Sequence, residues 1–274
     1  MVNFNGDLLP DTAHFLNHEN RALRFGDALT ETVRYTGQSL LFWEAHYFQM
    51  MAALRQLRMD IPMAFTMEYL EEEIRKTLKA NALEAVPARV DLMGIRSNAG
   101  GVDLLIQVQR LETAGFVTTS QAVRADLYKD YLLPAGGLST LPHNNRLLEV
   151  LAGIYTQENG WDTCLLLNDR KEVVRSLEGP LFLRVGDQIR TPGLAGGSPD
   201  TVLRRQLLEW GKTDTHYQWE EAPISPFDLQ KADELFSIHP VLGLCSITDY
   251  RKAHFNTKAA THATTVLNEK AGVN

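Results

Sequence analysis

The chain has 274 residues, of which 44% are hydrophobic and 22% are charged, and its formal net charge is −7. At roughly 150 residues per domain, this length fits one large domain or two modest ones of ordinary globular composition. An acidic chain without a basic run is a poor candidate for binding nucleic acid or an anionic membrane. Because Cys164 and Cys245 are its only cysteines, we expect neither a disulfide framework nor a cysteine zinc site.

Two features of the sequence bear on cellular location. The first residues, MVNFNGD, lack the basic and apolar regions of a signal peptide, and no run approaches the roughly 18 apolar residues of a membrane-spanning helix. We therefore expect a cytoplasmic protein with neither a membrane nor a nucleic-acid partner.

The N-terminal part predicts short strands, two helices and a hairpin. Asn5-Gly6 is a hairpin signal, and a second hairpin is predicted from residues 30–35 and 39–42. Apolar residues at helical spacing predict helices over 43–59 and 66–80. Strands are predicted over 88–96 and 102–110. A polar stretch at 113–122 is the predicted linker between a small lobe, 1–112, and a large lobe, 123–274.

The second half alternates helices and strands. Helices are predicted over 145–159, where Gly160 suits the position after a helix end, and over 199–212. Strands are predicted over 162–167, 181–185, 188–190 and, as the last strand, 234–238. These elements predict an α+β protein with a smaller N-terminal α/β lobe and a larger C-terminal lobe that contains a mixed sheet.

General catalytic and metal-binding motifs are missing from the sequence. There is no GxSxG, HExxH or Walker A pattern, and none of the eight scattered histidines has a convincing metal-ligand spacing to another ligand. We therefore expect no metal site.

Several segments, in order and at consistent spacing, point to one family. They are RALRFGDALTETVR at 21–34 with EAH at 44–46, NRLLEVLA at 145–152, ENG at 158–160 before CLLLN at 164–168, LFL at 181–183 before TP at 191–192, and ISP at 224–226 with ADELF at 232–236. Over residues 3–252 the chain resembles the class IV aminotransferases. These are the fold-type IV pyridoxal phosphate (PLP) enzymes: branched-chain and D-amino-acid aminotransferases and aminodeoxychorismate lyase. The resemblance implies the two-lobed D-amino-acid-aminotransferase-like fold and a dimer.

The position of the family's Schiff-base lysine is occupied by a proline. The resemblance places that lysine three residues before Asn145, where this chain has Pro142. Proline has no amine, so it forms no aldimine with PLP, and the neighbours Leu141 and His143 do not replace the lysine. We therefore predict no cofactor.

Positions that the resemblance assigns to the PLP phosphate are also altered. Gln49 stands three residues after His46, where the family has an arginine, and Thr201 replaces the glycine that opens the phosphate-binding helix. Arg204 of that helix is retained. Losing two or three charge-assisted hydrogen bonds, each worth roughly 1.5–3 kcal/mol, predicts a PLP affinity lower by about 10²–10⁶-fold.

The positions that the resemblance places around the PLP ring also differ from the family's residues. The acid that keeps the pyridine nitrogen protonated aligns with Arg175, whose cation opposes protonation. The alternative for Arg175 is a surface ion pair with Glu172 or Glu178. The asparagine that ends this turn aligns with Pro180, and a Thr/Ser-Asn step near the last strand is replaced by Ile238-His239-Pro240.

If the lobes pack as in the family, one cleft is lined by Pro142, His143, Arg175, Arg204 and His239. Two histidines and two arginines in a cleft suit a small anionic ligand or general acid–base chemistry.

Three hypotheses follow. The first, which we favour, is a pseudoenzyme without PLP: a binding, regulatory or partner subunit that forms a homodimer or pairs with an active paralogue. The second is an active aminotransferase or aminodeoxychorismate-lyase-like enzyme that holds PLP without the usual lysine, for which Lys129 is the nearest lysine upstream. The third is a cofactor-independent lyase or isomerase for an anionic substrate that uses His143 or His239 with Arg204.

Overall fold

The structure is a computed structural model that describes residues 1–118 and 121–273. The chain divides into two units. Unit 1 consists of Met1–Gly115, Pro142–Arg146 and Val273, and unit 2 of Phe116–Leu141 and Leu147–Gly272. Two residues of the predicted linker 113–122, Thr119 and Ser120, lie outside the described part. The lobe boundaries 1–112 and 123–274 stay a prediction, and the return of 142–146 to unit 1 was not foreseen.

Unit 1 is an antiparallel sheet with three helices. Its strands are β1 (Val2–Phe4), β2 (Asp7–Leu9), β3 (Ala28–Tyr35), β4 (Ala88–Arg96) and β5 (Val102–Arg110). Its helices are α1 (Arg21–Phe25), α2 (Trp43–Gln56) and α3 (Met67–Ala80). The strand order is β2-β1-β5-β4-β3, and every pairing in it is antiparallel.

Local sequence signals account for much of unit 1. Asn5 and Gly6 both take positive φ angles, 53° and 93°, which a two-residue turn between β1 and β2 requires. Thr66 caps α3, because its hydroxyl accepts the backbone N–H of Tyr69 at 3.2 Å. The first hairpin and the strands at 88–96 and 102–110 are confirmed.

The second predicted hairpin forms, but it is much shorter than predicted: the Thr36 N–H donates to the Ser39 carbonyl at 2.9 Å and the Leu41 N–H to the Arg34 carbonyl at 2.8 Å. β3 pairs along its whole length with β4, and residues 39–42 contribute a single bridge between Tyr35 and Leu40. Phe42 has a left-handed backbone with φ 52° where α2 begins, so the chain turns into the helix there and does not extend a strand. The helix predicted over 43–59 ends at Gln56.

Unit 2 contains ten strands and four helices among its described residues. The strands are β6 (Arg124–Leu133), β7 (Thr163–Asn168), β8 (Val173–Ser176), β9 (Leu181–Val185), β10 (Gln188–Thr191), β11 (Gln218–Glu221), β12 (Glu234–His239), β13 (Gly243–Ile247), β14 (Asp249–Tyr250) and β15 (Ala253–His254). The helices are α4 (Gly137–Thr140), α5 (Leu147–Glu158), α6 (Val202–Gly211) and α7 (Lys258–Ala271).

The strands of unit 2 form two five-stranded sheets, ordered β15-β14-β6-β7-β8 and β11-β10-β9-β12-β13. Both are mixed, since β6 runs parallel to β7 and β14, and β10 runs parallel to β11, whereas the other neighbours are antiparallel. The prediction of an α+β protein whose C-terminal lobe contains mixed sheets is confirmed. No helix in the described ranges has both the length and the apolar character needed to cross a membrane.

β7 lies at the centre of the unit 2 core and is buried along its whole length. Leu165 and Leu167 belong to a cluster with β9 and β12, whereas Cys164 and Leu166 belong to a second cluster that includes Ala152 of α5. Alternate side chains of a strand point to opposite faces, so a continuous apolar run predicts a strand covered on both sides. Burial raises the pKa of the Cys164 thiol to about 11.

Two helix starts in unit 2 differ from the predictions, and the chain continues beyond the predicted last strand. The helix predicted from residue 145 begins at Leu147, because residues 142–144 pair with β3. The helix predicted from residue 199 begins at Val202, because Thr201 caps it. β12 is not the last strand: β13, β14, β15 and α7 follow it. The buried side of α7 is mostly alanine, which is a weak helical pattern in a sequence.

Candidate functional site

Pro142 lies where the chain returns to the edge strand of unit 1. The backbone N–H of Thr30 in β3 donates to the Pro142 carbonyl at 2.9 Å, and the N–H of Asn144 donates to the Ala28 carbonyl at 2.8 Å. The intervening His143 forms an antiparallel bridge with Leu29 and is half-buried. Two backbone hydrogen bonds therefore hold the register of this segment, and a one-residue slip that replaced Pro142 would break both.

A side-chain hydrogen bond that sequence analysis missed lies buried between β3 and α2. His46 Nδ1 is 2.5 Å from Glu31 Oε1, and both side chains are about nineteen-twentieths buried. Gln49, one turn further along α2, is also buried. The missed signal is that Glu31 shares a face of β3 with the buried residues Leu29 and Val33, because alternate residues of a strand point the same way. A carboxylate on that face needs a partner.

A second missed residue, Arg34, anchors the end of unit 1. Its buried guanidinium donates to the carbonyls of Thr113 and Gly115 at 2.8 and 2.7 Å. Burial lowers the pKa of Arg34 to about 10. Backbone carbonyls satisfy this cation, so its role is to tie β3 to the segment that ends the unit.

In unit 2, the start of α6 carries two of the predicted positions, Thr201 and Arg204. Thr201 is the residue that caps the helix, and its hydroxyl accepts the backbone N–H of Arg204 at 3.2 Å. The first-turn N–H groups of a helix are the donors that bind a phosphate at a helix N-terminus. Here the chain's own threonine takes one of them.

The guanidinium of Arg204 is also bound within the chain. The side chain is 2% exposed, and its Nη2 donates to the Pro192 carbonyl at 2.8 Å and to Glu221 Oε1 at 2.5 Å. Within the described residues, Arg204 Nε and the buried hydroxyl of Ser198 have no hydrogen-bond partner. A carboxylate therefore occupies the guanidinium edge that would otherwise attract an anion.

Arg175 on β8 forms an ion pair that differs from both predicted alternatives. Its Nη1 is 3.2 Å from Glu149 Oε1 on α5, and both side chains are 18% exposed. Glu172 instead accepts a hydrogen bond from Asn168 at 2.8 Å, and Glu178 accepts one from Thr163 at 2.8 Å. The proposed surface pairing with Glu172 or Glu178 is therefore wrong. Pro180 forms a single antiparallel bridge with Arg175.

His239 ends β12 and holds the turn that follows. Its Nδ1 accepts the backbone N–H groups of Val241 and Leu242 at 3.0 and 3.1 Å. A ring nitrogen that accepts two N–H groups carries no proton, so this arrangement requires the neutral ring protonated at Nε2. Nδ1 is therefore engaged in the turn and is not placed to take a proton from a substrate.

The alternative anchor, Lys129, lies on β6 with an exposed side chain. The expectation that Pro142, His143, Arg175, Arg204 and His239 line one cleft stays a prediction, because the first two belong to unit 1 and the others to unit 2.

The described residues do not fit PLP. The aligned anchor position is a proline whose carbonyl is bound to β3, and the retained arginine is buried against Glu221. The helix start that would cradle the phosphate is capped by Thr201. The sequence resemblance predicts that Arg175 takes the position of the acid that would bond the pyridine nitrogen. We therefore derive no reaction step through this cofactor.

The fold and these aligned positions define a class of protein. A family model described as amino-transferase class IV matches residues 28–250. The chain belongs to the class IV aminotransferase family.

Known proteins with this fold resemble the chain over most of its length. Aminodeoxychorismate lyase from Vibrio harveyi is 24% identical over 236 residues, which cover 84% of this chain and 85% of the relative. The branched-chain aminotransferase of Thermoproteus uzoniensis, solved with norvaline, superposes with a TM-score of 0.85 at 16% identity, covering 98% of this chain and 94% of that one. The Escherichia coli branched-chain amino acid aminotransferase gives 0.83 at 14% identity, covering 96% and 90%. These structural matches establish the fold-type IV architecture.

Proposed function

We propose that this chain is a class IV aminotransferase homologue that does not use PLP and acts as a pseudoenzyme, in a binding or partner-subunit role. The observation that carries the proposal is Pro142. It stands at the aligned lysine position, it has no amine, and backbone hydrogen bonds on both sides of His143 hold the register of its segment. Without an amine there is neither a covalent anchor nor a proton shuttle for PLP chemistry.

The charges of unit 2 support the same conclusion. Arg204 is paired with Glu221 and Arg175 with Glu149, so both cations are neutralised by acids of the chain. A ligand phosphate would have to displace Glu221 from the buried guanidinium, and a pyridine nitrogen beside Arg175 would resist protonation.

We further propose that the chain acts as a dimer, either with a second copy or with an active paralogue. Leu147, Val150 and Ile154 lie along one side of α5, and their exposed fractions are 66%, 56% and 45%. Exposed apolar side chains at helical spacing are typical of an interaction surface. We also propose that the chain binds a small anionic ligand. We propose a cytoplasmic location, with which the buried Cys164 is consistent, because its thiol forms no disulfide and disulfides are rare in a reducing compartment.

The experiment that tests this function is an absorbance spectrum of the purified protein with added PLP, followed by borohydride reduction and mass spectrometry. We expect no aldimine band and no stoichiometric pyridoxyl–lysine adduct. A visible-edge band with one fully modified lysine would overturn the proposal, and the modified residue would identify the anchor. A Lys129→Arg variant tests the nearest alternative lysine directly.

A second variant shows whether only the lysine is missing. Pro142→Lys restores an amine at the aligned position without altering Thr201, Arg204 or Arg175. We expect it to remain without bound PLP, because the phosphate and ring contacts are absent as well. Stoichiometric trapping in Pro142→Lys, but not in the natural chain, would mean that the rest of the PLP site is intact and that the loss is limited to one residue.

A further inference from the structure

Three side chains with metal-binding atoms converge at one end of unit 2. Asp214 and His216 lie in the turn between α6 and β11, and His262 lies on α7. One ligand atom from each of the three residues lies within 4.8 Å of the other two. Within this group, Asp214 Oδ1 is 3.3 Å from His262 Nε2 and 3.5 Å from His216 Nδ1.

The two separations that involve Asp214 Oδ1 match the edges of a tetrahedral coordination site. Zinc bonds to imidazole nitrogen and carboxylate oxygen are about 2.0–2.1 Å long, so two ligand atoms of a regular tetrahedron are about 3.3–3.4 Å apart. Asp214 Oδ1 already stands at about that distance from both ring nitrogens. A metal ion could therefore be bound with little movement of the backbone, mainly by rotation of the exposed imidazole.

The carboxylate is held in place by groups that leave its ligand oxygen directed at the histidines. The indole Nε1 of Trp219 donates to Asp214 Oδ2 at 2.9 Å, and the backbone N–H of His216 donates to Oδ1 at 3.0 Å. Trp219 is itself packed edge-on against Trp210, with ring centroids 5.3 Å apart. Such outer contacts orient the ligands in metal sites and raise metal affinity.

The exposure of the three ligands indicates an open coordination position. The Asp214 side chain is 1% exposed, His262 is 28% exposed and His216 is 67% exposed. Ions enter such a site from the solvent side, where His216 stands. Three protein ligands leave the fourth tetrahedral position to a water molecule.

The chemical types of the three ligands indicate which class of metal ion they bind. Two imidazoles and one carboxylate suit zinc and its neighbours in the first transition series, whereas calcium and magnesium prefer all-oxygen sites. We propose that Asp214, His216 and His262 bind a zinc ion, with water as the fourth ligand. None of these residues is among the positions that the sequence resemblance assigns to PLP.

The test is a titration of the full, EDTA-stripped chain with zinc chloride by isothermal calorimetry, together with cobalt(II) absorbance as a probe of geometry. We expect saturable 1:1 zinc binding and visible cobalt bands typical of tetrahedral coordination. The His216→Gln variant should lower zinc affinity by about tenfold or more, because it removes one ligand from an exposed position without disturbing the core. Circular dichroism of the variant checks that it is folded.

The matched control is a histidine–aspartate pair in the same unit. His254 Nδ1 lies 2.6 Å from Asp249 Oδ1 with an 82% exposed side chain, and this pair belongs to no three-ligand group among the described residues. His254→Gln should bind zinc as the natural chain does. The proposal is overturned if zinc binding is not saturable, if His216→Gln binds as tightly as the natural chain, or if His254→Gln causes the same loss.

Discussion

Unit 2 has one group of polar side chains at the start of α6, around Arg204, and another beyond its end, around Asp214. The two groups differ in whether their charged atoms are paired within the chain or face histidines that are at least partly exposed to solvent. At the start of the helix, Arg204 is buried and bonded to Pro192 and Glu221, and Thr201 caps the first turn. Beyond the end of the helix, Asp214 faces two histidines, one of which is largely exposed. The family relationship directs attention to the first group, but its charges are neutralised within the chain.

The difference shows that a retained residue type does not imply a retained site. The sequence resemblance predicts that Arg204 is retained from the family, but its contacts are those of a buried structural cation, whose removal would leave its partners unsatisfied. The histidine group has no counterpart among the family's expected positions. Its ligand atoms nevertheless have the separations and the solvent access that a metal ion requires.

The largest expected effect comes from removing the buried cation. Arg204→Ala leaves the Pro192 carbonyl and Glu221 without their donor and opens space in a packed region, so we expect a loss of about 3 kcal/mol in the free energy of unfolding. Urea unfolding at neutral pH measures it. The neighbouring Arg205→Ala is the control, because Arg205 pairs with Asp200 at 3.0 Å near the surface and should cost about 0–1 kcal/mol.

Equal losses in the two arginine variants would contradict a structural role for Arg204. Inorganic phosphate sharpens the same test. If Arg204 still bound anions, phosphate would stabilise the natural chain but not Arg204→Ala. We expect the same small response in both proteins.

Zinc should produce the next largest effect. With free zinc about a hundredfold above its dissociation constant, the free energy of unfolding of the natural chain should rise by about 2.7 kcal/mol. His216→Gln should gain about half of that or less at the same zinc concentration, because its affinity is at least tenfold lower. Thermal or urea unfolding with and without zinc gives both values, and an equal gain in the two proteins would argue against His216 as a ligand.

A glycine of α6 connects the helix to the histidine group. A Cβ built on Gly211 would lie 2.6 Å from Trp219 Cβ, so Gly211→Ala must push the indole that holds Asp214. We expect a loss of about 2 kcal/mol from overpacking and a weaker zinc affinity in calorimetry, although every ligand remains. Gly153→Ala in α5 is the control, since its added Cβ would meet no described atom within 4 Å outside its chain neighbours and the backbone of its own helix. It should stabilise the helix by about 0.5–1 kcal/mol. Unchanged zinc affinity in Gly211→Ala would mean that Trp219 does not orient Asp214.

The smallest effect concerns a charge cluster in unit 1 in which Asp27 pairs with two arginines of the chain. Burial raises the pKa of Asp27, but hydrogen bonds from Arg96 at 2.9 Å and Arg21 at 2.8 Å outweigh it and hold that pKa below its usual value. A lowered folded-state pKa stabilises the protein above the unfolded pKa, and this stabilisation is lost as pH falls through the folded value. Asp27→Asn should therefore cost about 1 kcal/mol at neutral pH and progressively less on acidification.

Urea unfolding of Asp27→Asn and the natural chain from neutral to acidic pH measures that difference. Asp7→Asn, at an exposed position of β2, is the control for a general charge effect. A difference between Asp27→Asn and the natural chain that stays constant with pH would show that the carboxylate charge of Asp27 is not what stabilises the cluster.

Much of the fold could be predicted from local patterns. The Asn5-Gly6 hairpin, the 88–96 and 102–110 strands and the buried strand β7 follow from turn chemistry and apolar alternation, which act over a few residues. The pairing of β3 with β4, far along the chain, was not predicted, and the second hairpin is shorter than predicted because the chain turns into α2 at Phe42. The helix α7 was missed because its buried side is mostly alanine. Long-range pairing and small side chains leave weak signals in a single sequence.

The sequence by itself determined the family resemblance and the absence of an amine at Pro142, since both depend only on residue identity and order. The tertiary structure alone decided which polar side chains are paired: Glu31 with His46, Arg175 with Glu149, and Arg204 with Glu221. It also brought His262 to Asp214, 48 residues away. Side-chain partners are set by the packing of whole elements, because hydrogen bonds act over about 3 Å, and no sequence separation encodes that distance.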